Sequence, residues 1–175
     1  AVASRRQSLS LLRELVDEAP ENPEYRVILA EVLLFSSIGK PGASDPLDPE
    51  DLVLLKEAAS LLDGLRRRYP QVPRYGVVYA FSQFALGNYY LSVKDTASAE
   101  ACYETALAIE EAYQKGGPRL LGTLRRNWEM GLQLARLRLM QDRPGDAKSV
   151  LESMLRAVGE EDGSGRCQGA ARPPE

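Results

Sequence analysis

The chain has 175 residues, of which 44% are hydrophobic and 27% are charged, and its formal net charge is -3. This length suits one domain, and the apolar content excludes a wholly disordered chain. The near balance of charges does not indicate capture of nucleic acid or of an anionic membrane, since both require a strongly basic surface.

The chain contains no histidine, which excludes several kinds of catalytic site. Ser-His-Asp and Cys-His nucleophilic sites, and every zinc site that uses imidazole, need this residue. The two cysteines, Cys102 and Cys167, are too few for a disulfide framework. Neighbouring acids such as Glu110 and Glu111 point to different helix faces, so they do not form a carboxylate pair. We therefore predict no catalytic residue, no metal and no cofactor.

The sequence begins with Ala1 and shows no secretion signal, so we expect a piece of a longer protein. Glu31 and Gly39 interrupt the most apolar helix and keep it below the ~20 residues of a membrane span. These features leave the cellular compartment undecided. Cytoplasm is favoured, and the periplasm is the alternative if the chain belongs to a longer anchored protein.

The first half of the chain predicts three helices. Apolar residues at helical spacing predict one from Ser4 to about Glu18 and one from Pro23 to about Ser37. Residues 36–48, rich in Gly, Pro, Ser and Asp, predict a loop. Asp48 then supplies an N-cap for a third helix, from Pro49 to about Tyr69. The apolar side of this third helix consists of Leu52, Leu55, Ala58, Ala59, Leu62 and Leu65.

Four more helices follow in the second half. The first two run from Pro73 to about Val93 and from Ala97 to about Gln114. Gly116-Gly117-Pro118 then predicts a stop before a helix from Arg119 to Met140, and the last helix follows Pro144. Within the helix that ends at Met140, Trp128 is expected in the core.

The predicted fold is therefore all-α, with seven helices and no strand. Residues 1–159 form the helical domain. Residues 160–175 contain too few apolar side chains to fold and are predicted to be a flexible polar tail.

Two similar tracts lie fifty residues apart. Ser10–Val27 reads SLLRELVDEAPENPEYRV, and Ser60–Val77 reads SLLDGLRRRYPQVPRYGV. In each tract the first proline ends a helix, because proline disfavours helical backbone in the residue before it. The second proline begins the next helix, since a first helical turn accepts proline. Repetition of this kind predicts stacked helix–turn–helix units.

A motif in the middle of the chain resembles the tetratricopeptide repeat, which combines an aromatic position, Leu-Gly and Tyr on one helix with Ala, an aromatic residue and Ala on the next. The matching residues here are Gln83, Leu86, Gly87, Tyr90, Ala99, Tyr103 and Ala106. Small residues occur in the family where two helices cross closely. The resemblance implies a right-handed stack of antiparallel helix pairs, a TPR-like α-solenoid.

Two weaker copies of the motif extend the resemblance over residues ~8–157. One aligns Leu134-Ala135 with the Leu-Gly pair and places Arg138 where the family has tyrosine. Its second helix carries Ala147, Leu151 and Met154. The other copy uses Leu29 or Ala30, followed by Ala58, Leu62 and Leu65.

The resemblance also implies a binding surface, because the first helix of each pair in the family lines a concave face that binds partners. By register, the inward positions are Val27, Glu31, Leu34, Phe81, Phe84, Asn88, Leu91, Arg136, Leu139 and Met140. They describe an apolar groove suited to an amphipathic helix or an extended apolar segment. The alternative is that these residues only pack between neighbouring helices.

The predicted function is a non-catalytic module that binds a protein or peptide, with a homodimer through the unpaired first helix as a further interaction. The alternative comes from the Pro-x-x-Pro-x-Tyr turns, which also resemble the repeat-containing tails of some bacterial serine/threonine kinases and sigma factors. The chain would then be the sensory or regulatory tail of a signalling enzyme or transcription regulator. Nucleic acid is not expected, because the arginines of residues 66–68 are typical of a helix C-terminus.

Overall fold

The structure, a computed structural model, describes residues 2–38, 48–114 and 121–164. Within these residues it contains seven helices and no strand, which confirms the all-helical fold class predicted from the sequence. The helices are α1 (Val2–Glu18), α2 (Pro23–Ile38), α3 (Pro49–Arg68), α4 (Pro73–Ser92), α5 (Thr96–Gln114), α6 (Leu121–Met140) and α7 (Pro144–Ser164). None of the described helices is long and apolar enough to cross a membrane.

The last helix extends into the stretch that the sequence assigned to a flexible tail. Residues 160–164 are helical, because α7 continues to Ser164. Glu160 and Glu161 are favourable helix formers, which lets the helix continue past its last apolar residues. The rest of the predicted tail, and the predicted stop at residues 116–118, lie outside the described residues.

The beginning of α3 is fixed by the N-cap that the sequence predicted. The side chain of Asp48 accepts a hydrogen bond from the backbone N–H of Glu50 at 3.2 Å. The backbone N–H of Asp48 donates in return to the carboxylate of Asp51 at 2.9 Å, which completes a capping box. The helix therefore starts at Pro49.

The turns between α1 and α2 and between α3 and α4 match at a spacing of fifty residues. The N–H of Asn22 donates to the carbonyl of Ala19 at 3.0 Å, and that of Val72 donates to Tyr69 at 3.1 Å. The following helix begins at a proline in both cases. The ring of Tyr75 then packs edge-on against Tyr69, with 6.1 Å between the centroids. The repeated sequence is thus a repeated structure of helix, tight turn and helix.

The turns that follow α4 and α6 match each other as well, at a slightly different spacing. Lys94 and Asp142 both have a positive φ, 64° and 57°, the left-handed conformation that commonly ends a helix. In each turn the next N–H donates to a carbonyl five residues back, at 2.9 Å in both cases. The pairs α4–α5 and α6–α7 are therefore equivalent units, with a spacing of 48 residues between Lys94 and Asp142.

The buried side chains form two clusters that share α4. One cluster joins α1, α2, α3 and α4, and the other joins α4, α5 and α6. The apolar side predicted for α3 is confirmed, since Leu55, Ala58, Ala59, Leu62 and Leu65 are buried and Leu52 is half-buried. Because each cluster is made by consecutive helices, the chain packs in sequence order.

The crossing of α4 and α5 depends on small residues, as the sequence predicts. A Cβ atom added to Gly87 would lie 2.5 Å from the ring of Tyr103, which is fully buried. Ala99 and Ala106, on either side of Tyr103 along α5, are also fully buried. The absence of a side chain at position 87 therefore sets how closely the two helices approach.

Candidate functional site

An apolar pocket of about 270 Å³ lies between α2 and α4. It is lined by Glu31, Leu34, Phe35, Val78 and Phe81. Glu31, Leu34 and Phe81 are among the predicted inward positions, so the structure brings these three together. The sequence did not identify Phe35 and Val78. One signal was available for Phe35, because it lies four residues after Glu31 and so on the same helix face.

Phe35 is the most exposed side chain of this pocket. It is 61% exposed, although a phenylalanine ring gains more from burial than most side chains. Its ring is tilted by 43° against that of half-buried Phe81, with 6.3 Å between the centroids. Two aromatic rings contributed by different helices therefore form the apolar wall of the pocket.

The charged group of the pocket is already paired. Glu31 accepts two hydrogen bonds from the guanidinium of Arg74, at 3.0 and 3.1 Å. Arg74 also lies 3.4 Å from the carboxylate of Glu24. The hydrogen bond with Glu31 raises the pKa of Arg74 above its ordinary value, so the guanidinium stays ionised. The pocket therefore consists of apolar surface beside a carboxylate whose charge is balanced by Arg74.

Two predicted inward residues that do not line the pocket, Val27 and Phe84, are buried, and Leu34, which lines it, is buried as well. Val27 is 0% exposed and Phe84 is 6% exposed. The ring of Phe84 lies 5.9 Å from that of Tyr103, centroid to centroid, inside the second cluster. The alternative of packing between helices therefore describes these two positions, and a charge introduced at Phe84 would disrupt the core.

Asn88 and Leu91, also on α4, lie near the same core. The hydroxyl of Tyr103 donates a hydrogen bond of 2.7 Å to the side-chain carbonyl of Asn88. Burial raises the pKa of Tyr103, so this hydroxyl stays protonated. Leu91 is half-buried against the second cluster. Asn88 thus serves the α4–α5 contact.

The remaining predicted residues, Arg136, Leu139 and Met140, lie exposed on α6 and do not line the α2/α4 pocket. Leu139 is 56% exposed and Met140 is 67% exposed. The expectation that Trp128 belongs to the core is wrong, because this side chain is 42% exposed. Leu132, one turn further along α6, is exposed to the same extent.

Arg138, which stands where the resemblance has tyrosine, joins three helices. Its guanidinium donates to Glu100 at 3.1 Å and to Glu104 at 2.5 Å on α5, and to the carbonyl of Asp146 at 3.3 Å on α7. Arg143 adds a second bond to Glu100 at 2.8 Å. Burial alone would raise the pKa of Glu100, but the bonds from Arg138 and Arg143 outweigh it and lower that pKa below the ordinary value. Arg138 thus links α6 to α5 and α7 through a network of charged and polar groups.

The arginines of residues 66–68 are paired and do not form a free anion site. Arg66 and Arg67 bind the carboxylate of Asp63 at 2.5 and 2.8 Å, and Arg68 binds Glu21 at 2.5 Å. Arg66 also stacks 4.6 Å above the ring centroid of Tyr79. The bonds to Asp63 lie within α3, whereas Arg68 reaches the turn between α1 and α2 and Arg66 reaches α4.

Cys102 and several acidic side chains are further reactive groups in the described part of the chain. Burial raises the pKa of the Cys102 thiol to about 11, which keeps it protonated and weakly nucleophilic. No group of three or more acidic or cysteine side chains is arranged to hold a metal among the described residues. Glu110 is buried and Glu111 is exposed, as expected for neighbours on different helix faces.

Comparisons with known proteins give no relative for this chain. No protein-family model, no curated protein and no solved structure matches it. The functional argument therefore depends on the pocket and on the packing of the helices.

Proposed function

We propose that the chain is a non-catalytic interaction module that binds the apolar face of an amphipathic partner helix at the α2/α4 pocket. The observation that carries this proposal is the exposure of Phe35, 61%, at an apolar pocket that also contains Phe81. Exposed aromatic side chains beside a pocket are typical of binding anchors in protein interfaces.

The architecture of the proposed module is a TPR-like right-handed solenoid. The matched turns and the chain-order packing support it. In such a solenoid α2, α4 and α6 are the first helices of successive pairs and line the concave face. A pocket between α2 and α4 then lies where the resemblance places the partner.

The size and charge of the pocket favour a side-chain anchor over a small substrate. Its volume of about 270 Å³ lies just below the range of small-molecule sites, roughly 300–1,000 Å³. Its carboxylate, Glu31, is neutralised by Arg74. A leucine or phenylalanine on a partner helix suits these properties, with further apolar residues three or four positions away.

A peptide-display selection against the intact chain tests this proposal, with the selected peptides then measured individually on two variants. Phe35→Glu places a charge at the pocket, and we expect it to weaken binding by at least about tenfold, the loss of one interface anchor. Val53→Glu is the matched control, because Val53 is similarly exposed, at 65%, and lies on α3 away from the pocket.

Selected peptides should carry apolar residues at helical spacing and should bind Val53→Glu as tightly as the wild type. Circular dichroism of both variants checks that each keeps its helices. If peptides bind Phe35→Glu as tightly as the wild type, the pocket assignment is wrong.

A further inference from the structure

The exposed apolar face of the last helix pair has a covered counterpart within the same chain. The spacing of 48 residues aligns Trp128 with Ala80 and Leu132 with Phe84. Ala80 and Phe84 are 0% and 6% exposed, whereas Trp128 and Leu132 are both 42% exposed. Equivalent positions therefore differ in what covers them.

The α4 positions are covered by the helices that follow them. Ala80 and Phe84 belong to one buried cluster with Tyr103 of α5, against which Phe84 packs, and with Met130, Leu134 and Leu137 of α6. These three α6 residues are spaced i, i+4 and i+7, the apolar stripe of an amphipathic helix. By this equivalence, Trp128 and Leu132 form an apolar surface that a further helix can cover.

A second feature shows which helix fits, because the exposed face of α6 is complementary to itself. Trp128, Leu132 and Arg136 are exposed and lie at i, i+4 and i+8, on one side of the helix. An antiparallel second copy centred on Leu132 brings its Arg136 to Trp128. Glu129, also exposed, then faces Arg136 of the other copy. Because this arrangement is two-fold symmetric, each of these contacts occurs twice.

We infer that the chain forms a two-fold symmetric homodimer through this face of α6. Closed two-fold contacts are the commonest form of homo-oligomer, and they use the same residues on both copies. Arginine over tryptophan adds a cation–π contact, and the pairing with Glu129 adds charge complementarity. A contact between two single helices is small, so the dimer is expected to be weak. This inference concerns α6 and does not depend on the α2/α4 pocket.

Sedimentation equilibrium and tryptophan fluorescence of the full chain test the dimer. Trp128 is the single tryptophan of the chain and lies within the proposed contact, so its emission reports directly on association. Between about 1 μM and about 500 μM, a range that spans weak association, we expect the mass to rise toward twice that of the monomer. The Trp128 emission should shift to shorter wavelength over the same range.

Charge reversal distinguishes this arrangement from other dimers. Arg136→Glu and Glu129→Arg change exposed residues, and each variant alone should dimerise at least about tenfold more weakly, as for the loss of a charge pair. An equimolar mixture of the two variants should restore association, because every facing pair then has opposite charges. Circular dichroism confirms that both variants remain folded.

A chain that stays monomeric with unchanged Trp128 emission overturns the inference. A dimer whose affinity is unchanged by both charge reversals also overturns it. The same holds if the equimolar mixture of the two variants does not restore association. A dimer weakened by Leu11→Glu on α1 and unaffected by Arg136→Glu would place the contact on the first helix instead, since Leu11 is also exposed, at 54%.

Discussion

Glu24 and Arg74 are the second residues of α2 and α4, fifty positions apart in the sequence, and their side chains meet at 3.4 Å. Equivalent ends of two repeated helices therefore lie side by side in the fold. Arg74 also binds Glu31, about two turns further along α2, so the contact extends toward the pocket. The sequence repeat thus places two helices next to each other, and the α2/α4 pocket lies between them.

The close crossing of α4 and α5 predicts opposite effects for two glycine substitutions. In Gly87→Ala the new Cβ would lie 2.5 Å from the ring of Tyr103, which is fully buried and held by Asn88. We expect the free energy of unfolding to fall by roughly 1–3 kcal/mol, the usual cost of overpacking a core. Urea denaturation followed by circular dichroism measures this change.

Gly64→Ala on α3 is the matched control, because no atom lies within 4 Å of its added Cβ. Alanine is favoured over glycine inside a helix, so the free energy of unfolding should rise by roughly 0.5–1 kcal/mol. Equal effects of the two substitutions would show that Gly87 does not lie at a tight crossing.

Arg138→Met should destabilise the chain at neutral pH. The substitution leaves the carboxylate of Glu100, only 15% exposed, with fewer partners, at an expected cost of roughly 1–3 kcal/mol in the free energy of unfolding. Lys148→Met removes an ion pair of 3.7 Å to Glu152 that is exposed on both sides, and should cost less than about 0.5 kcal/mol. Urea denaturation of both variants at pH 7 makes the comparison.

The pH dependence of the same network has a defined sign. Since the pKa of Glu100 in the folded chain is lowered, its contribution to stability is present above the ordinary glutamate value of 4.5 and is lost as pH falls through the lowered value. The deficit of Arg138→Met relative to the wild type should therefore shrink on acidification below pH 4.5. A deficit that stays constant over this range would mean that Glu100 and Arg138 are not coupled.

The helical framework could be predicted because its determinants are local. Asp48 caps α3, and Pro73 begins α4, through contacts and backbone preferences that lie within a few residues of each position. The spacing of apolar residues then identifies the buried side of α3, where Leu55 and Leu62 are fully buried. The exposure of side chains in the second half of the chain depends instead on contacts with neighbouring helices.

The exposure of individual site residues could not be predicted, because it depends on the neighbouring helix pair. Trp128 and Ala80 are equivalent within their own pairs, yet only Ala80 is covered. Phe84 was expected in the groove on the basis of register, but it packs against Tyr103. Phe35 was not identified, although it shares a helix face with Glu31, because its exposure depends on how α2 and α4 lie together.

Cross-linking of α2 to α4 tests most directly the claim that equivalent helices of successive pairs lie side by side. The chain would carry Glu24→Cys and Arg74→Cys, with the native thiols removed by Cys102→Ala and Cys167→Ser. We predict that a short bismaleimide joins the two new cysteines within one chain in native buffer and fails to do so in urea. A native chain that remains unlinked, although both cysteines react with a monofunctional maleimide, would contradict the account.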